Sequence, residues 1–288
     1  MNKNMGTRVG SAIAATALVG MMMAPEVAAV PWSGTVRVTW DANNYESSPG
    51  GEFSLVPTAV GNSAAEAAAN SAFPYWDGYV SNKQDGKEIG TQVVVGGLKA
   101  FESFCLEYNE YLEQGRLYSA TVGLAAIGGG VGGAVNGQDL ISRGTAWLYS
   151  QFARGTLADY IYTPLGSGPT GGYDGRKDSA KQLQDAIWYL ENEITLSSTG
   201  ISANLFLQQV KNQFGDLANA AADSQPYEFG VAVLNLKADV AGQNYTQNYS
   251  NGLNAQSQLI YVPDGGTTLL LLGMGMGGLA MVSRRKLS

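Results

Sequence analysis

Histidine is absent from this chain. Without an imidazole there is no Ser-His-Asp triad, no Cys-His dyad and no His-ligated zinc site. Cysteine is nearly absent as well. Cys105 stands alone, which excludes an intrachain disulfide and every multi-cysteine metal centre. Neither a metal nor a cofactor is expected. Charged residues make up only 14% of the chain, against 38 glycines. That balance suits a loop- and strand-rich secreted protein better than a helical cytosolic one. The 288 residues suffice for one large domain or two small ones, with a core that needs no staples.

The two ends read as targeting segments. Lys3 and Arg8 precede an apolar, small-residue stretch from Val9 to Ala24, and Val27-Ala28-Ala29 offers the small side chains that a signal peptidase reads. Residues 1–29 are therefore expected to be a signal peptide cleaved after Ala29. At the other end come Val262-Pro263-Asp264-Gly265-Gly266, an apolar run from Thr267 to Val282, and the basic cluster Arg284-Arg285-Lys286. The run has about the minimum length for a bilayer crossing, so a transmembrane segment is expected over 267–283, with the basic cluster as its cytoplasmic stop. Setting aside five basic residues and two acidic ones in these ends leaves an ectodomain of 12 basic and 22 acidic residues, a net of −10. A surface of that sign disfavours nucleic acid and anionic lipid.

This three-part tail, 262–288, resembles the PEP-CTERM sorting signal in a variant that reads Val-Pro-Asp-Gly-Gly. Asp264 stands where the family name places glutamate. The resemblance implies an exported precursor anchored in the inner membrane and a membrane-embedded exosortase as partner. It further implies delivery to the cell surface or to an extracellular, exopolysaccharide-associated matrix.

Between the ends, 30–261 reads as an α+β ectodomain, β-rich with a helical insertion. Strands are expected over 35–40, 52–56, 92–95, 101–108, 229–236 and 257–262, from alternation and β-branched content. Phe101, Ser103, Cys105 and Glu107 share a face if their strand is regular. Helices are expected over 140–152, 179–194 and 203–214, with a short local one at 64–69. The middle one is the clearest, with Ala180, Leu183, Ala186, Ile187, Leu190 and Ile194 at helical spacing and Asp178 or Ser179 as N-cap. The glycines from 128 to 137 suggest a flexible surface loop. They lack the Lys-Ser/Thr ending of a phosphate cradle.

Two short motifs bear on chemistry. Phe104-Cys105-Leu106-Glu107 on a strand and Gln184-Asp185-Ala186-Ile187-Trp188 on a helix together resemble the thioester domains of bacterial surface adhesins, with a core over 101–193. Leu183 occupies a position where those adhesins usually have threonine. The resemblance implies an internal thioester between Cys105 and Gln184, shielded by Tyr108 and Trp188, that captures an amine or hydroxyl nucleophile on a surface or polysaccharide. On that reading the protein is not an enzyme. The plain alternative for the same residues is a buried cysteine and an ordinary amphipathic helix. Asp185 would raise the pKa of a neighbouring thiol.

A second constellation is acidic and aromatic: Glu107, Glu110, Glu113, Asp185, Glu191 and Glu193 among Tyr108, Tyr111, Trp147 and Tyr189. It suits a carbohydrate-binding module, or a glycoside-cleaving one if two carboxylates face each other about 5–9.5 Å apart.

Overall fold

A computed structural model describes residues 32–39, 45, 50–84, 87–163, 175–247, 249 and 253–263. The expected signal peptide with Ala29, and the tail from Asp264 through Gly265, Gly266, 267–283, Arg284, Arg285 and Lys286, lie outside the described residues. Among the described residues, no helix is long and apolar enough to cross a membrane.

The domain is built on strands. They are β1 (Ser33–Thr39), β2 (Phe53–Thr58), β3 (Lys83–Gln84), β4 (Lys87–Glu88), β5 (Gln92–Val95), β6 (Leu98–Ser103), β7 (Leu117–Gly123), β8 (Ala125–Ile127), β9 (Gln138–Leu140), β10 (Val231–Lys237) and β11 (Asn254–Tyr261). Seven form one antiparallel sheet in the order β11-β10-β7-β1-β2-β6-β5, while β3-β4 and β8-β9 are small separate hairpins. After α1 (Ser63–Ser71), the other helices fall between β9 and β10: α2 (Arg143–Ala153), α3 (Gly175–Leu190), α4 (Ser198–Ala203), α5 (Leu205–Phe214) and α6 (Leu217–Ala220). This is a β-rich sheet domain with helices.

The chain beyond β6 does not run off the sheet. Leu259 N–H donates to the Phe104 carbonyl (3.1 Å) and Leu106 N–H to the Ser257 carbonyl (3.1 Å). Cys105 and Gln258 form an antiparallel bridge, and Ser103 Oγ donates to the Leu259 carbonyl at 2.6 Å. Residues 103–106 therefore join the β6 side of the sheet to its opposite end at β11. The strand expected over 101–108 stops at Ser103 in regular form, and the bridge continues it. All residues from Ala100 to Glu107 are buried, so the expected single shared face becomes burial on both sides.

Helix α3 lies across this seam. Its apolar positions Ala180, Leu183, Ala186 and Ile187 are fully buried and Leu190 nearly so, as the spacing predicts. Removing a side chain of the size of Leu183 or Ile187 from water contributes about 1.5–3 kcal/mol. Asp178 and Ser179 do not cap it, because the helix begins at Gly175; Ser179 Oγ instead donates to the Gly175 carbonyl at 2.8 Å. Its end is Leu190 rather than Ile194. The 203–214 helix is two, because Asn204 breaks the chain and caps α5 by accepting from Phe206 and Leu207 N–H.

A buried ion pair fixes the start of α3. Arg176 Nε and Nη2 donate to the Glu52 carboxylate at 2.9 and 2.7 Å, and both side chains have zero exposure. Nη1 donates to the Tyr162 carbonyl at 2.9 Å, and Nη2 also to the Gly90 carbonyl at 2.8 Å. The guanidinium lies 4.4 Å from the Tyr45 ring centroid. This planar, multi-donor pattern is one that arginine fills and lysine does not.

Candidate functional site

In an extended chain, successive backbone groups point to opposite sides. Phe104 and Leu106 therefore spend theirs on β11, leaving the N–H and carbonyl of Cys105 pointing the other way, where buried polar groups require partners. Gln184 supplies both. Its Oε1 accepts from Cys105 N–H at 3.1 Å and its Nε2 donates to the Cys105 carbonyl at 2.8 Å. Both residues have zero exposure. The structure thus brings Cys105 and Gln184 together across 79 residues of sequence.

The sulfur faces β11. Cys105 S–H donates to Gln256 Oε1 at 2.8 Å, and Gln258 Nε2 donates to the sulfur at 3.3 Å. Gln256 Nε2 in turn donates to the Glu107 carbonyl, which fixes the orientation of its amide. Burial pushes the thiol well above its ordinary range, Gln258 opposes this and the Glu107 carboxylate adds to it. Asp185 pairs with Lys181 Nζ at 2.7 Å, one turn back on the same helix.

Trp188, one turn after Gln184, is 2% exposed and meets the edge of Tyr108 at a centroid distance of 5.0 Å. Tyr108 itself is 45% exposed, so it forms the outer wall rather than a sealed lid. The backbone of Gly50 presses on the same pair. An added Cβ there would stand 2.6 Å from Gln184 Cγ and from Trp188 Cη2, and its φ of +87° favours glycine.

The acidic constellation separates into local roles. Glu193 accepts from Tyr108, Val131 and Gly132 N–H at 2.7, 3.0 and 2.7 Å. The glycine stretch expected to be a flexible loop is therefore the tip of the β8–β9 hairpin, fixed by a carboxylate 3% exposed. Glu191 accepts from the N–H and Oγ of Ser142, the N-cap of α2. Burial, opposed by the Thr145 and Ser142 hydrogen bonds and aided by Asp139, leaves its pKa at about 7. Burial, with Glu110 adding, raises Glu107 to about 8; burial and then Glu193 raise Glu110 to about 7. Glu113 is lowered to about 2 by hydrogen bonds from Gln247, Thr246 and Tyr249, although burial works against them. Among the described residues, no cluster of Cys, Asp and Glu has metal-binding geometry. Of the aromatic candidates, Tyr111 is exposed, while Trp147 and Tyr189 pack partly buried against the core.

Sequence reading missed Gly50, Gln256 and Gln258. The polar pair on β11 carried a faint signal, two glutamines flanking a serine inside a strand that otherwise reads as apolar. For the sorting motif, Val262 is 6% exposed and its N–H donates to the Gly230 carbonyl at 2.7 Å, with Pro263 next in the chain. The motif thus begins with no spacer after the domain.

Comparison with known families matches residues 261–286 to the VPDSG-CTERM motif. Asp264 agrees with that description, and the departure lies one residue later, where Gly265 replaces serine. The chain carries a PEP-CTERM-type sorting tail, which implies an exosortase-type partner and an exported, membrane-anchored precursor. No curated protein and no solved structure matches the chain.

Proposed function

We propose that this protein is an exported surface or matrix protein that attaches covalently through an internal Cys105–Gln184 thioester, after sorting by exosortase. The supporting observation is the pair of reciprocal hydrogen bonds that hold the Gln184 carboxamide against Cys105 in a dry pocket. In the bond-forming step, Cys105 Sγ attacks Gln184 Cδ, the C–N bond breaks, and ammonia leaves with the thiol proton. An amine or hydroxyl on a surface or exopolysaccharide then attacks the same carbon, and the sulfur departs as a thiol. Each molecule acts once, so the protein is a capture device and not an enzyme. Trp188 and Gly50 exclude water from the acyl carbon until a nucleophile arrives past Tyr108.

Intact-mass measurement of the purified ectodomain tests this. Wild type should be light by one ammonia, and Cys105→Ala and Gln184→Ala should have full mass. Gln182→Ala serves as the control that keeps the deficit. Methylamine should add at Gln184 and expose one thiol. A full-mass native ectodomain, alkylated at Cys105 only after unfolding, would sink the reading.

A further inference from the structure

Cys105 Sγ has two polar neighbours, and both lie on the last strand. Gln256 Oε1 is an acceptor 2.8 Å away, Gln258 Nε2 a donor 3.3 Å away. The two amides differ in freedom. Gln256 cannot turn over without setting its oxygen against the Glu107 carbonyl, which now accepts its Nε2–H. Gln258 keeps its Nε2 shared between the sulfur and the Ser257 carbonyl at 3.2 Å, and its own Oε1 has no hydrogen-bond donor among the described residues. Gln258 has zero exposure, so that oxygen is out of reach of bulk water. A native buried acceptor without a donor calls for an explanation.

The chemistry of sulfur supplies one. A thiol has a proton to give and a thiolate needs protons to receive, and the pocket offers one group of each kind. We propose that Gln256 and Gln258 govern the two forms of the Cys105 sulfur, Gln256 holding the thiol proton and Gln258 supporting the thiolate that leaves when a C–S bond breaks. As applied to ring opening, this rests on the thioester reading. As applied to the free thiol, it stands without it. When an amine attacks Gln184 Cδ, the C–S electron pair returns to Sγ beside the Gln258 N–H, and the amine proton ends on that sulfur. While the acyl bond exists, sulfur has no proton to give, so Gln256 Oε1 joins Gln258 Oε1 as an acceptor without a donor. The titratable group bearing on this sulfur is Glu107, whose carboxylate opposes the thiolate and whose Oε1 is itself without a partner. The α3 residue at the pocket, Gln184, is neutral.

The free-thiol half is tested in the Gln184→Ala background, where no thioester can form. A single cysteine gives a single S–H infrared band. Gln256→Met should move it to higher wavenumber and Gln258→Met should leave it nearly in place. The Gln184→Ala truncation removes the side chain packed on the Cys105 backbone and opens the pocket to iodoacetamide. Native-state alkylation at fixed pH then follows the thiolate fraction, and Gln258→Met should slow it by about tenfold, the scale of a hydrogen bond to a charged group. The ring-opening half is tested with Gln184 present. Gln258→Met should retain the ammonia deficit and open about tenfold more slowly with methylamine. If Gln258→Met loses its native near-ultraviolet dichroism, Gln258→Leu, of similar volume and equally without a donor, takes its place and should slow both reactions to the same extent. An unmoved S–H band in Gln256→Met, or wild-type rates without the Gln258 donor, would overturn the proposal. Absence of the deficit in wild type would end the thioester reading alone, because the infrared and alkylation results decide the pair independently.

Discussion

Replacing Arg176 with methionine should strand the Glu52 carboxylate in a site of zero exposure. Breaking a buried pair by removing one partner costs about 3–5 kcal/mol, because the remaining charge is uncompensated. For a domain of this size each kcal/mol lowers Tm by about 2–4 °C, so the melting transition should fall by roughly 6–20 °C. Four hydrogen bonds disappear together, two to Glu52 and one each to the Tyr162 and Gly90 carbonyls. The charge, however, dominates, and it can be isolated. Glu52→Gln alone should also destabilise, since it leaves the guanidinium unpaired. Added to Arg176→Met, the same substitution should recover stability. It neutralises the stranded carboxylate, while the amide oxygen it introduces can still accept from the Tyr160 hydroxyl that now donates to Glu52. Thermal and urea unfolding of wild type, both single variants and the double variant complete the cycle. If the two losses simply add, the pair is not coupled and the account of how α3 is fixed is wrong. The ammonia deficit should fail in parallel, since Gln184 lies eight residues, about 12 Å, further along the same helix.

Four buried or half-buried carboxyl groups are raised in the folded chain: Asp139 to about 6 (burial, then Glu193 and Asp223), Glu110 and Glu191 to about 7, and Glu107 to about 8. The folded state therefore binds more protons than the unfolded one between about pH 4 and 8, and Tm should decline as pH rises through that window. Glu113, lowered to about 2, acts in the opposite sense and should bring Tm down again as pH falls below about 4; a flat Tm profile between pH 4 and 8 would contradict the burial of this set. Gly50→Ala combines a left-handed backbone with the contact on Gln184 and Trp188, and should cost roughly 2–4 kcal/mol in urea unfolding and slow ammonia loss. Replacing Arg284, Arg285 and Lys286 with glutamine should impair retention and sorting, followed by fractionation and immunoblotting; an unchanged destination and processed size would show the basic cluster to be dispensable.

What could be read in the sequence was local. The spacing of Ala180, Leu183, Ala186 and Ile187 gives α3 because one helical face alone is apolar, and the alternation at 35–39 gives β1. Strand β7 carries the same kind of signal, with buried Tyr118 and Ala120 alternating with Ser119 and Thr121, and sequence reading missed it. On β11 every position from Ala255 to Ile260 is buried, so polarity no longer marks the outer face. Cys105 and Gln184 could be paired through short motifs. The partners of their surroundings could not, since Gln256 and Gln258 lie 151 and 153 residues from the sulfur they touch. Nor does anything near Glu193 announce that it will clasp backbone groups some sixty residues earlier.

The seam at β11 also sets a path for mechanical force. Strand β11 runs into the sorting motif without a spacer, and its far side carries the amides at the Cys105 sulfur. A protein anchored by its tail and attached to a surface through Gln184 would be pulled at two places, the end of β11 and the middle of α3. Those two elements meet at Cys105, through the reciprocal bonds to Gln184 and the bridge to Gln258. Once a nucleophile has replaced sulfur, no covalent shortcut spans that junction, and the load passes through hydrogen bonds between β10, β11 and residues 103–106. Tension on the tether would then be felt first at the pocket where capture took place, making that junction the fuse of the attachment.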